Sequence, residues 1–295
     1  MAPPDLIDVP ESLARTLLSS VFGEVQELAR VGAGWDCVVW RVGDDAPGAL
    51  AARFPRRPVA EEMLSVEVRW LPTLADSLPL TVPAAVTVGE PGAGYPFRWS
   101  VVPWIPGTDA FAGSVRSMTE AGAALGAFQR ALHRAPVPTD PPGSAFRGVP
   151  IASRTETVLG HARELGAMLR MDAVERLWAV VCATPEWAGD PVWCHGDMHP
   201  LNLIVRDGVL AGVIDWADVH VGEPSPDLGA AWLLLDAEGR KAFGAAYGPV
   251  DEATAARARG WALFFGVVFA AHGARDGDER FVAIGRRVLR ELGVG

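Results

Sequence analysis

Three polar side chains are spaced so that they could do chemistry together: Asn202 and Asp215, whose oxygens suit a hard cation, and Asp197, which stands just before them. They lie in the stretch 192–216, which contains His195-Gly196-Asp197-Met198-His199-Pro200-Leu201-Asn202 and ends on Ile214-Asp215-Trp216. Between Asn202 and Asp215, Asp207-Gly208 separates two runs of strand-forming residues, which predicts a hairpin closed by a two-residue turn with positive backbone angles. With Arg206 opposite Val209, Val205 meets Leu210, Leu203 meets Gly212, and Asn202 lies opposite Val213. Asp215 is then a diagonal neighbour of Asn202, at roughly 7–8 Å between backbones. One amide oxygen and one carboxylate suit magnesium, which keeps several waters and binds phosphates.

Asp197 precedes Asn202 by five residues. Protein kinases use that offset between the aspartate that accepts the substrate hydroxyl proton and the asparagine that holds metal. Together, His195-Gly196-Asp197, Asn202 and Ile214-Asp215-Trp216 resemble the aminoglycoside phosphotransferase family, the antibiotic-kinase branch of the protein-kinase-like fold. The resemblance implies an α+β, two-lobed protein-kinase-like fold, with a small antiparallel-sheet N-lobe (1–103) and a larger, mostly helical C-lobe (104–295). It implies transfer of the terminal phosphoryl group of ATP, with GTP as the alternative donor, to a hydroxyl of an aminoglycoside-like or other antibiotic acceptor. Asp197 would be the catalytic base, and Asn202 and Asp215 the Mg2+ ligands. His195 fixes the loop rather than shuttling protons, because a carboxylate already occupies the base position.

By the same resemblance, Gly32 and Gly34 form a flap over the nucleotide phosphates, and the third strand supplies the phosphate-gripping cation. That cation is Arg53 here, where the family has lysine; arginine stays charged and can pair bidentately with phosphate oxygens. Glu67, on the following helix, orients it. The linker at Val102, Trp104 and Ile105 would meet the adenine through its backbone. Gly222-Glu223-Pro224-Ser225-Pro226-Asp227-Leu228 matches the family segment whose aspartate braces the catalytic loop, which assigns that role to Asp227, while a helix N-cap is an equally open reading. Asp218, Glu223, Asp276 and Glu279 are candidates to face a cationic acceptor.

Rival readings are a kinase for a macrolide or a small metabolite (choline, homoserine or a sugar derivative), a nucleotide-binding protein without turnover, and a metal-dependent hydrolase built on the same polar residues. A buried hairpin explains Asp207-Gly208 but not three polar residues converging on one point.

The 295 residues, 49% of them hydrophobic, supply enough chain for two cores. A formal charge of −10 argues against a nucleic-acid partner and favours a cationic small molecule. Lys241 is the single lysine, so a Gly-Lys-Ser/Thr phosphate loop does not occur. Three scattered cysteines, Cys37, Cys182 and Cys194, lack metal-ligand spacing and suit a reducing cytoplasm. The start Met1-Ala2-Pro3-Pro4-Asp5 shows no signal-peptide pattern. The longest apolar run, 261–271, is shorter than the ~20 residues needed to span a bilayer. No membrane partner is expected, and either a monomer or a homodimer is compatible with the sequence.

The elements that would position these residues are legible by pattern. A helix is expected at 10–20, strands at 25–31, 37–42 and 49–55, and a helix at 59–75. Further strands are expected at 80–88 and 98–102. Ser117 with Glu120 predicts a capping box that opens a helix ending near His133, where the helix dipole accounts for the histidine. Helices follow at 153–168 and 172–183 across a proline-rich loop at 136–150. Asp227 heads a helix reaching Leu235, Asp251 caps a buried helix running to Ala271, and an acidic turn at 276–279 opens the last helix.

Overall fold

A computed structural model describes residues 6–34 and 36–295. The first five residues, on which the signal-peptide reading rests, and Trp35 of the glycine turn lie outside them. The chain divides into two compact units, Met1–Gly107 with Gly212–Ala217, and Thr108–Ala211 with Asp218–Gly295. Among the described residues, no helix is long and apolar enough to cross a membrane.

The first unit opens on α1 (Glu11–Phe22) and is built on a five-stranded sheet. Its strands are β1 (Leu28–Ala33), β2 (Cys37–Val42), β3 (Leu50–Pro55), β4 (Thr87–Gly89) and β5 (Trp99–Pro103), arranged β1-β2-β3-β5-β4 with every pair antiparallel. Alternation along β2 turns Val38 and Trp40 inward, where they join Leu17 and Leu18 of α1, Ala52 and Phe54 of β3, and Tyr95 and Trp99. Phe54 stacks on Trp99 at 5.1 Å and meets Tyr95 edge-on at 5.8 Å.

Proline in the first turn starts α2 (Pro58–Ala75), where a missing N–H costs nothing. The buried positions of α2 are Ala60, Leu64, Glu67, Leu71 and Leu74, spaced by alternating steps of four and three. Glu67 therefore occupies the apolar stripe itself and is carried into the core by the helix period.

The strand expected at 80–88 is a correction: only Thr87–Gly89 joins the sheet. Pro83 has no N–H to donate to a ladder. Thr81 instead bridges Gly212, its carbonyl accepting from Val213 N at 2.9 Å.

β8 (Leu203–Arg206), in the second unit, and β9 (Val209–Val213), whose last two residues belong to the first, are joined by Asp207 (φ 53°) and Gly208 (φ 78°), the positive angles expected of the turn. β6 (Thr108–Asp109) adds to β8, and β7 (Val192–Cys194) pairs antiparallel with β10 (His220–Gly222). The core is helical. α9 (Glu252–Asp276), capped by Asp251 on Thr254 N at 2.8 Å, is buried nearly all round through Trp261, Phe264, Phe265 and Val267. It packs against α4 (Thr155–Leu165), α5 (Met171–Ala183) and α10 (Glu279–Glu291).

Ser117 caps α3 (Met118–His133) by accepting from Glu120 N, but the Glu120 carboxylate pairs with Arg116 rather than closing the reciprocal box. Against α3 lies α8 (Ala237–Tyr247), a helix that the sequence pattern does not announce. The two approach so closely that a Cβ on Gly122 would lie 2.0 Å from the Gly239 carbonyl oxygen. Beyond β10, the helix expected from Asp227 to Leu235 is broken into α6 (Ser225–Gly229) and α7 (Ala231–Leu234).

Candidate active site

In the second unit, the segment between β7 and β8 carries His195, Asp197, His199 and Asn202. Its backbone is fixed by Asp227, whose two carboxylate oxygens accept from His195 N and Gly196 N, each at 2.8 Å. Asp227 sits inside the first turn of α6 rather than ahead of it, so it does not act as an N-cap. Burial alone would raise its carboxyl, but His133 at 3.3 Å outweighs that and holds it below the ordinary carboxylate range.

His133 is therefore more than a dipole partner at a helix end, which corrects the sequence reading. It is buried, with Nε2 on Asp227 and Nδ1 at 2.9 Å from the Tyr247 hydroxyl. Gln129, also on α3, donates to the Asp227 carbonyl at 2.7 Å. The Cys194 Sγ lies within 4.8 Å of His133 and Asp227 ligand atoms. Burial pushes this thiol well up, and it donates to the Glu223 carbonyl at 3.2 Å, so it behaves as a small packed side chain and not as a metal thiolate.

Gly196 has φ +86°, and a Cβ there would lie 2.8 Å from the Asp218 carbonyl oxygen. The turn it makes brings Asp197 N to His195 Nδ1 at 3.2 Å, so that imidazole accepts at Nδ1. The Asp197 side chain remains 27% exposed, with Oδ2 3.5 Å from His199 Nε2 and Oδ1 3.3 Å from Arg147 Nη2. Desolvation would raise its carboxyl, but His199 first and Arg147 next outweigh it, and the group is held well below the usual range. Asn202 is buried, and its Nδ2 donates to the Asp197 carbonyl at 2.9 Å, which commits the amide nitrogen and leaves the oxygen as the atom that could serve as a ligand.

The first unit holds a separate cluster. Arg53, in register between Val39 of β2 and Ser100 of β5, forms an ion pair through Nη1 with Glu67 Oε1. Its Nη2 lies 3.7 Å from Asp215 Oδ1. Burial would lower the guanidinium, but the Glu67 carboxylate more than offsets it and raises the group above its ordinary value. Glu67 Oε2 is buried with no hydrogen-bond partner among the described residues. Asp215 takes φ +61°, unusual for a residue with a side chain, and its carboxylate stays half exposed. Oxygen donors of this kind, the Asn202 amide and the Asp215 carboxylate, are the hard ligands that magnesium takes.

The remaining sequence candidates are placed as follows. Gly32 pairs with Val39 beside a bulge, and Gly34 N donates to the Cys37 carbonyl at 2.9 Å. Val102 is a buried β5 residue opposite Ala51; Trp104 N donates to the Ala49 carbonyl at 2.9 Å, and Ile105 is buried. Asp218 Oδ1 lies 3.5 Å from Ser144 Oγ. Glu223 forms an ion pair with the buried Arg257 and borders a cleft of about 180 Å³ with Trp187. Asp276 and Glu279 are exposed at facing helix ends, while Phe281, two residues on, packs against His199 at 5.8 Å. Arg147 and Gln129 carry no motif spacing that would single them out in the sequence, and His133, noted there only as a helix-end histidine, shows no signal of its bond to Asp227.

A sheet-bearing first unit with an Arg–Glu pair and a helical second unit with a braced His-Gly-Asp loop define a protein-kinase-like fold. Residues 27–261 match the sequence model of APH, the phosphotransferase enzyme family, and the chain belongs to that family. Viomycin phosphotransferase of Streptomyces vinaceus is 33% identical over 118 residues, 39% of this chain; the match spans only 40% of that relative's length. Among solved structures, the GDP and kanamycin complex of APH(2")-IIIa aligns with TM-score 0.67 at 18% identity, covering 94% of this chain and 97% of that one. Macrolide 2'-phosphotransferase MphH from Brachybacterium faecium aligns with TM-score 0.63 at 20% identity, covering 95% and 98% respectively.

Proposed function

We propose that the protein is a small-molecule kinase, transferring the terminal phosphoryl group of ATP to a hydroxyl of an antibiotic or antibiotic-like acceptor. The observation that carries this reading is the Asp197 carboxylate, held ionised and partly exposed on a loop whose backbone is tied by Asp227. A fixed carboxylate is what phosphoryl transfer asks of the protein at the acceptor, because most of the catalysis is positioning and charge neutralisation.

In this reading, Asp197 orients the acceptor hydroxyl and takes its proton. The acceptor oxygen then bonds to the terminal phosphorus as the bond to the leaving nucleotide oxygen breaks, with that electron pair departing on ADP. Asn202 and Asp215 would hold Mg2+, which when bound neutralises charge on the phosphates. Arg53, oriented by Glu67, grips those phosphates, under a flap at Gly32 and Gly34 and next to a base-contacting linker at Val102, Trp104 and Ile105. His195 and Asp227 keep the loop in shape. The first unit is the nucleotide-binding part and the second carries the acceptor pocket, with Asp218, Glu223, Asp276 and Glu279 as candidates to face a cationic acceptor.

Viomycin and kanamycin, named with the relatives, fit the acceptor class, and the GDP in one relative keeps GTP as the alternative donor. A macrolide or a small metabolite is the alternative acceptor. We place the enzyme in the cytoplasm, where ATP is supplied, as a monomer or homodimer without nucleic-acid or membrane partners.

The test is nucleotide turnover with magnesium against a panel of aminoglycosides, macrolides, peptide antibiotics and amino alcohols, using Asp197→Ala as control and ATP against GTP as donor. Acceptor-dependent ADP release that disappears in the variant supports the reading. Nucleotide binding without any phosphorylated acceptor points to a binder without turnover, and hydrolytic activity independent of nucleotide points to a hydrolase.

A further inference from the structure

The loop at 136–150 is built around Arg147. Ser144 Oγ accepts from the main-chain amides of Phe146 at 3.1 Å and Arg147 at 3.0 Å, and Gly148 N returns to the Ser144 carbonyl at 2.9 Å. Arg154 Nη2 donates to the carbonyls of Ala145 at 3.0 Å and Phe146 at 2.7 Å, and Val221 N to that of Pro142 at 2.8 Å. The loop backbone is thus tied on either side of Arg147.

The Arg147 side chain turns inward and is only 16% exposed. Nε donates to the Gly196 carbonyl at 3.1 Å and Nη2 to Asp197 Oδ1 at 3.3 Å. Its guanidinium lies over the rings of Phe264 and Phe265, 5.4 and 5.0 Å from their centroids. Stacking and the Gly196 bond fix the planar group beside the carboxylate, a geometry that lysine would not reproduce. Nη1 makes no hydrogen bond among the described residues, which leaves its two N–H donors without a protein acceptor.

Any hydroxyl that reaches Asp197 arrives beside this fixed cation. We infer that Arg147 is a specificity-determining residue on the acceptor side, selecting a hydroxyl flanked by a lone-pair oxygen (hydroxyl, ether, carbonyl or carboxylate) over one flanked by an ammonium. An oxygen neighbour accepts from Nη1, whereas an ammonium there meets like charge at short range in a partly desolvated site. Proton transfer sharpens the choice, because a protonated Asp197 no longer neutralises Arg147. The net charge of −10 still favours a cationic acceptor overall. Its cations then sit away from the reacting hydroxyl. This inference rests on the kinase reading and narrows its substrate class.

The experiment offers each accepted amino alcohol or antibiotic as the free amine and with the amine beside the reacting hydroxyl acetylated, and compares kcat/KM. The wild-type protein is expected to prefer the neutral form by about tenfold or more. The preference should shrink in Arg147→Lys, which keeps the charge but not the fixed planar group, and collapse towards unity in Arg147→Gln, with the change carried by acceptor KM and not nucleotide KM. A merely structural role would lower turnover of both forms alike. Wild-type preference for the free amine, or an unchanged ratio in Arg147→Gln, overturns the inference. The wild-type ratio decides even if that variant does not fold. If wild-type protein releases no ADP with any acceptor, the kinase reading itself has failed, and this inference fails with it.

Discussion

Arg53 and Glu67 form an ion pair almost closed to water, their side chains 12% and 5% exposed. An isolated charge in that position is costly, so removing one partner does more harm than replacing both. Glu67→Gln should destabilise the protein by about 3–5 kcal/mol in urea unfolding. It should also raise nucleotide KM, because Arg53 loses the group that aims it. Arg53→Lys keeps the charge and should retain turnover within about tenfold, while Arg53→Ala should lose at least a hundredfold, about 3 kcal/mol of transition-state stabilisation. Little loss on Arg53→Ala would count against phosphate gripping and in favour of a hydrolase.

Asn202 and Asp215 make a separate prediction through magnesium. Removing an oxygen ligand weakens a hard cation site at least as much as altering its outer partners, which is on the order of 10–100-fold. Asn202→Ala and Asp215→Ala should each raise the half-saturating magnesium concentration for turnover by that factor or more. Manganese, which takes similar donors, should restore part of the activity. An unchanged magnesium requirement in both variants would remove these residues from the metal site.

Much of this arrangement is visible in the sequence, because its signals are local. Asp207-Gly208 announces its turn, the spacing of buried positions in α2 carries Glu67 inward, and Asp251 announces its helix. What is hidden depends on contacts far apart in the chain. Arg147 reaches Asp197 across 50 residues, and His133 reaches Asp227 across 94, so neither shows a period or a motif. The stretch 80–88 reads as a strand by residue type, yet Pro83 breaks the ladder. α8 buries only Gly239 and Phe243, too few apolar positions to form a legible stripe.

Gly196 shows how a motif letter becomes geometry. Its φ of +86° is a conformation that residues with a Cβ avoid, and the carbonyl oxygen of Asp218 occupies the space a methyl would need. Gly196→Ala should cost about 1–3 kcal/mol in thermal unfolding. Turnover should fall further than that loss explains, because the peptide between His195 and Asp197 must rotate. A variant with wild-type stability and turnover would show that the loop tolerates another path.

The Asp227 carboxylate yields a prediction with a defined pH window. Its folded value lies below the unfolded value of about 3.9, so its ionised form binds the fold more tightly than its protonated form. The stabilisation is therefore fully present above about pH 4–5 and is lost as pH falls through the lower, folded value. Asp227→Asn places an amide where two main-chain N–H groups and His133 require acceptors, so at least one buried donor is left unpaired. At pH 7 the loss should be about 2–4 kcal/mol. In urea unfolding, the gap between wild type and variant should stay level from pH 7 to pH 5. It should narrow only below about pH 4, where the unfolded wild-type chain binds a proton at this carboxyl that the folded state still excludes. A gap that already closes between pH 7 and pH 5 would mean that a histidine, and not Asp227, governs the stability of the loop.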